Sequence, residues 1–296
     1  MWEKITSFIL SNLIPASVLG SQVLSPVPSA PPLAIQIEPL AIVVNQEIPP
    51  PNIGAKAVLV IETHSNEALY SQNVWETFPI ASLTKLMTAL IVKENANLDE
   101  IVTVGPIIRN VGGSSMGLKE GEKISVHNLL RGLLIPSGND AAMVLSEFVA
   151  GSPEAFVVLM NQRKLGLGLE QTQFADPAGL QDGNISSAFE IAHLAKHVFK
   201  DPLLQSIMRE KEAHVFSADG KYNHALSNTN RLLGTDIGER IIAGKTGTTP
   251  LAGQCLISFI GNEADRTTMT VILGSSNRYE EMKKLIDWVD KTFIWQ

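Results

Sequence analysis

The chain has 296 residues, 45% of them hydrophobic, enough to bury one sizeable core or two lobes that share an interface. Its net charge of −7, with no stripe or cluster of Lys and Arg, argues against nucleic acid as a partner and points to small or peptidic substrates. A single cysteine, Cys255, excludes an intrachain disulfide, and its apolar surroundings read as a buried small hydrophobe rather than a catalytic thiol.

Residues 1–24 read as a signal peptide: Lys4 precedes Ile5, Phe8, Ile9, Leu10, Leu13 and Ile14, and small residues follow at Ala16, Ser17 and Gly20. Asn12 and Pro15 interrupt the apolar run, which favours a removed signal over a permanent anchor. Residues 25–52 carry Pro26, Pro28, Pro31, Pro32, Pro39 and Pro49 to Pro51, the composition of an extended linker with no core of its own. A folded domain is expected over 53–296. It opens with a β hairpin, Ala55 to Thr63 and Glu67 to Tyr70, turned at His64-Ser65-Asn66, where Asn66 can take a positive φ.

In and just after the stretch Pro79 to Leu90 the apolar residues Leu83, Leu86, Met87, Leu90 and Ile91 fall at helical spacing, predicting an amphipathic helix buried along one face. Ser82 sits in its first turn with Lys85 one turn on, so the two side chains can touch. One reading makes Ser82 an N-cap and Lys85 a surface lysine, and S-x-x-K spacing arises by chance roughly once in a chain this long. Against it, a lysine there faces the positive end of the helix dipole, where a capping box wants Glu or Gln. A partly desolvated lysine is pushed toward its neutral amine, which can take a proton from Ser82. Serine needs such a base, and no obvious Ser/His/Asp set offers another.

A glycine-bearing loop then leads to Ser125, the expected cap of a helix with Val126, Leu129, Leu130, Leu133 and Leu134 on one face, stopped at Pro136. Ser137-Gly138-Asn139 follows, before a second apolar pattern through Ala142, Val144, Leu145, Phe148 and Val149, so the turn presents polar side chains between two rigid helices. Further helices are expected after Ser152-Pro153, after Ser187 with Glu190 as a capping box, and after Asp201-Pro202. His193 and His197 stand at i, i+4 but lack the Glu and third ligand of a zinc site. Strand character returns after Glu210 with a turn at Asp219-Gly220, and is strong in Ile241 to Ala243, ending at Lys245-Thr246-Gly247, then in Gln254 to Ile260 and Thr267 to Leu273, with Asn262 to Asp265 as the turn between the last two. Met282, Leu285, Ile286, Val289 and Phe293 mark a terminal amphipathic helix, read as packing on the sheet rather than membrane docking despite Trp288, Trp295 and Lys283, Lys284 and Lys291. The fold class is α+β: an antiparallel sheet built from both chain ends, with a helical lobe inserted over about 82–208 and a cleft at the boundary that can gather Ser82, Ser137, Asn139 and Lys245.

Three signatures in this order, Ser82-x-x-Lys85, Ser137-x-Asn139 and Lys245-Thr246-Gly247, resemble those of penicillin-binding proteins and serine β-lactamases. With Pro177-Ala-Gly-Leu180, Asn228-Thr-Asn230 and Gly244-Lys-Thr-Gly-Thr-Thr249, the match from about Ile53 onward is similar to the D-alanyl-D-alanine carboxypeptidase family. Gly138 stands where class A β-lactamases usually show Asp, which makes β-lactamase the lesser reading, and a silent cell-wall-binding module lesser still.

The resemblance implies a β-lactamase/transpeptidase-like fold and a serine peptidase acting on peptidoglycan stem peptides, with β-lactams as covalent inhibitors and no cofactor or metal. Ser82, Lys85, Ser137 and Asn139 would be catalytic; Lys245, Thr246, Gly247 and Thr248 would bind substrate, and the N–H groups of Ser82 and Thr248 would hold the oxyanion. Thr248 replaces the more common His, Tyr or Phe. Carboxypeptidase and D,D-endopeptidase activities are both compatible with these motifs, an exported, extracytoplasmic setting is implied, and peripheral membrane association stays open.

Overall fold

The computed structural model describes residues 42–45, 47–262 and 266–295. The expected signal segment, most of the proline-rich linker and the tip of the 262–265 turn lie outside the described residues. Five antiparallel strands form the main sheet, in the order Ile241–Thr249, Gly253–Gly261, Thr267–Ser275, Ala57–Glu62, Ala68–Gln72. The last strand of the sheet in sequence, Thr267–Ser275, thus pairs with its first, Val271 opposite Leu59, and everything between Gln72 and Ile241 is an insertion. Asn66 turns the first hairpin at φ 62.

Each central strand is buried on both faces, which is why its sequence is a near-continuous apolar run. Period-two alternation divides the side chains. Leu59, Ile257, Met269 and Val271 face the helical lobe, whereas Val58, Val60, Leu256 and Ile272 face the terminal helix α7 (Arg278–Thr292) with Met282, Leu285 and Ile286. Packing of α7 on the sheet is the arrangement expected from its stripe.

The insertion carries α1 (Lys85–Asn95), α2 (Val126–Leu134), α3 (Asn139–Ala150), α4 (Pro153–Gly166), α5 (Ala188–Val198) and α6 (Pro202–Arg209). Caps start them where the sequence places caps: Ser125 Oγ accepts from Asn128 N at 3.2 Å, Ser152 Oγ from Ala155 N at 3.1 Å, and Asp201 Oδ1 from Leu203 N at 2.9 Å. Ser187 Oγ likewise accepts from Glu190 N, but the capping box is only half made. The Glu190 carboxylate turns away to Gln171 N and Thr172 Oγ1.

Two expectations change. Instead of one buried stripe, α1 is buried at every residue from Lys85 to Val92, because α2, α3, α4 and α5 surround it. A pattern of Leu and Met reveals one face of such a helix, while its Thr88 and Ala89 conceal the others. The linker expected to 52 also ends early: Ile42–Val44 pairs antiparallel with Phe293–Trp295, and Asn45 N donates to Thr292 O at 2.8 Å. No single helix among the described residues is long and apolar enough to cross a membrane.

Candidate active site

A 3₁₀ turn, Ala81–Thr84, delivers Ser82 into the start of α1. Its hydroxyl is no helix cap, since neither Ile80 nor Thr84 at the cap positions makes a side-chain cap bond and the Ser82 Oγ is engaged elsewhere. Among the described residues four non-glycines hold positive φ. Two are Asn66 and Asn73, which tolerate that region; the others are Ala81, at φ 48 just before Ser82, and Ser137, at φ 61. Backbone strain of about 1–3 kcal/mol per residue is therefore stored beside both hydroxyls.

Lys85 is fully buried, and its Nζ lies 3.0 Å from Ser82 Oγ, 2.7 Å from Asn139 Oδ1 and 2.6 Å from the Ala178 carbonyl oxygen. Burial lowers its pKa to about 7, against the opposing pull of Asp176 and then Asp140. A neutral amine has two N–H bonds and one lone pair. Asn139 Oδ1 and Ala178 O have no proton to give, so they take the two N–H bonds and the lone pair is left for the Ser82 hydroxyl. Asn139 is itself fixed, with Nδ2 donating to Gly112 O at 2.7 Å.

On the other side, Lys245 Nζ donates to Ser137 Oγ at 2.7 Å and to Thr246 O at 2.9 Å. Burial first, then the positive charges of Lys85 and Arg278, hold this amine well below the ordinary lysine range. Thr246 Oγ1 is hydrogen-bonded with Thr229 Oγ1 at 2.6 Å, and Thr248 is exposed. The Lys245-Thr246-Gly247 strand runs on to Thr249, beyond the end read from the sequence. A Cβ at Gly247 would lie 2.9 Å from Ser82 N and from Ile80 O, so only glycine lets this strand press on the serine turn.

All eight residues singled out in the sequence thus meet where the strand, the serine turn and the α2–α3 turn come together. Sequence reasoning missed others. Arg278, the first residue of α7, donates through Nη1 to Gly247 O at 2.7 Å, Thr248 Oγ1 at 2.8 Å and Cys255 O at 3.1 Å. Asp140 accepts from Ser115 Oγ and from the N–H groups of Met116, Gly117 and Leu118, binding that loop over the site. Its position beside Ser137-x-Asn139 was a signal available in the sequence, whereas nothing local marks Arg278. Cys255 is buried and its thiol is pushed up to about 11 by burial, consistent with packing alone.

A family profile described as D-alanyl-D-alanine carboxypeptidase matches residues 44–277. The chain belongs to the D-alanyl-D-alanine carboxypeptidase family. D-alanyl-D-alanine carboxypeptidase DacC of Escherichia coli strain K12 is 35% identical over 84% of this chain and 64% of its own length. A D-alanyl-D-alanine endopeptidase of Pseudomonas aeruginosa is 29% identical over 82% of each. Among solved structures, penicillin binding protein 6B from Escherichia coli superposes with a TM-score of 0.74 at 31% identity, covering 85% of this chain and 82% of that one. The chain spans less than two thirds of the carboxypeptidase DacC. For this D-alanyl-D-alanine carboxypeptidase family member the fold expected from the motifs is the fold found.

Proposed function

We propose that the protein is a serine-type D-alanyl-D-alanine carboxypeptidase that works on peptidoglycan stem peptides through an acyl-enzyme on Ser82. The observation that carries this is the Lys85 amine 3.0 Å from Ser82 Oγ, with Asn139 and Ala178 as its two other partners. The lone pair removes the hydroxyl proton as Oγ attacks the carbonyl of the D-Ala-D-Ala bond. Negative charge developing on that carbonyl oxygen is received by the N–H groups of Ser82 and Thr248. Ser137, bonded to Lys245, passes a proton to the departing amine, and Asn139 holds both Lys85 and the substrate backbone. Lys245 and Thr246 give positive charge and a hydroxyl to the substrate carboxylate, and equally to that of a β-lactam. Water then frees the acyl group from Ser82.

A fluorescent penicillin should label the protein covalently, and Ser82→Ala should abolish the label. Label retained in that variant would place the nucleophile elsewhere. A second reading, D,D-endopeptidase, is favoured by the endopeptidase relative, which aligns over 82% of this chain against 84% for the carboxypeptidase DacC. Offering uncross-linked pentapeptide and cross-linked dimer muropeptides separates the two: free D-Ala signals the first activity, monomers the second. Such substrates lie outside the cytoplasmic membrane, which together with the signal-like composition of 1–24 supports an exported protein of the cell envelope.

A further inference from the structure

Asp176 makes no hydrogen bond to Ser82 or Lys85, yet the loop it heads touches both. Its Oδ1 accepts from Ala178 N at 2.7 Å, Gly179 N at 2.7 Å and Leu180 N at 3.2 Å, and its Oδ2 from Gln181 N at 2.6 Å and Asn184 Nδ2 at 2.7 Å. Five donors on one buried carboxylate fix the path of the chain from 176 to 181. Asn184, itself fully buried, closes the ring by accepting from Ala175 N at 3.1 Å. The loop so held is seated at two points, one on α1 and one on the serine turn. Thr88 of α1 donates to Pro177 O at 2.6 Å, and Gly179, at φ 80, lies so close that a Cβ would fall 2.0 Å from Ala81 O and 2.9 Å from Ser82 N.

The Ala178 carbonyl between those two points takes the 2.6 Å bond from Lys85 and stands 3.5 Å from Ser82 Oγ. We propose that Asp176 is a positioning residue for the nucleophile and its base. Its carboxylate aims the Ala178 carbonyl so that the Lys85 lone pair faces Ser82, and its negative charge sets the pH range over which that amine is free to act. The inference rests on the reading of Ser82 as nucleophile and Lys85 as base.

The charged groups around Lys85 are few. Asp176 and Asp140 favour its protonation, in that order. Across the site, the repulsion between cations falls on Lys245, which Lys85 and then Arg278 push down. Helices α2, α4 and α5 also pack on α1, but Arg131 is paired with Glu210, Arg163 with Glu94, and Glu190 with Thr172. Neutralising Asp176 therefore removes the largest charge that raises the Lys85 pKa, and the pKa should fall.

The test is the pH profile of acylation by a fluorescent penicillin, from about pH 5 to about pH 8, for the full chain and for Asp176→Asn. Acylation needs the neutral amine, so the rate declines as pH falls through the Lys85 pKa. In Asp176→Asn that decline should move to lower pH while the plateau drops about tenfold, so the variant-to-wild-type ratio rises toward acid. A uniform loss at every pH, or a decline shifted upward, would reduce Asp176 to a loop brace and overturn the proposal. Asn184→Ala, which loosens the carboxylate but keeps its charge, should lower the plateau without moving the decline; an unchanged plateau counts against positioning even where Asp176→Asn does not fold. A wild-type chain that takes no label removes the underlying reading and this inference together, whereas an unmoved decline in a labelled protein removes only the inference.

Discussion

Lys245 Nζ donates to Ser137 Oγ at 2.7 Å, so the second hydroxyl of the site has its own amine, separate from the one that serves Ser82. Two lysines are buried in one site, each lowered by burial, and in the proposed mechanism they divide the work of taking and giving a proton. Lys245→Met leaves Ser137 without its donor. The second-order rate of acylation should fall about 10²–10⁴-fold, and Lys245→Arg should restore little, because a planar guanidinium does not replace a compact ammonium at this distance. An unaltered rate in Lys245→Met would take the pair out of the mechanism.

The buried Lys85 also governs stability. Its pKa is about 7 in the folded protein against an ordinary 10.5, so between those values the unfolded chain binds more protons and stability rises with pH. Each unit of such a difference corresponds to about 1.4 kcal/mol. In Lys85→Met this dependence is gone, and urea midpoints of variant and wild type, compared from about pH 7 to about pH 10, should show the wild type gaining on the variant. Parallel curves would mean that the amine is not held neutral. The same variant should lose acylation about a thousandfold or more.

Arg278 ties α7 to the strand that lines the site, through Gly247 O, Thr248 Oγ1 and Cys255 O. Removing it as Arg278→Ala frees three acceptors and takes away a positive charge beside Lys245. Catalytic efficiency toward a D-Ala-D-Ala peptide should fall about tenfold or more, chiefly as a raised KM, with a stability loss of about 1–3 kcal/mol. Steady-state kinetics and thermal melting together check this, and a KM equal to the wild-type value would assign Arg278 to structure alone.

At Gly179 the constraint is steric. With φ at 80 and a Cβ position 2.0 Å from Ala81 O, Gly179→Ala must push the loop off the serine turn. Destabilisation of about 3 kcal/mol or more is expected, with loss of penicillin labelling even in the fraction that folds. A stable, labelled Gly179→Ala protein would show that this close approach is dispensable.

The groups that sequence exposes are those whose geometry is local. Ser82 and Lys85 are one helical turn apart, Pro136 stops a helix where Ser137 and Asn139 must then turn, and Lys245 sits in a strand whose period is visible, so six or seven residues around each already fix the side chain. What stays hidden depends on partners far along the chain. Asp176 matters because its loop returns to the serine turn some 90 residues earlier, as the Lys85 to Ala178 bond records with a separation of 93 residues. Glu190 has the spacing of a capping box, yet tertiary packing gives its carboxylate to residues 171 and 172. Ile42–Val44 lies in a proline-rich stretch that reads as linker, and becomes a strand because its partner is Phe293–Trp295.

That last pairing brings Ile42 opposite Trp295, so the two ends of the folded unit leave it side by side. The folded unit is in effect a closed circuit of chain, its doorway and exit at one spot, and a tether attached at either end would hang the candidate site in the same attitude. Engineers wishing to fuse, immobilise or re-thread this protein have a single corner to work from, and Ser82, Lys85, Ser137 and Lys245 lie on other elements.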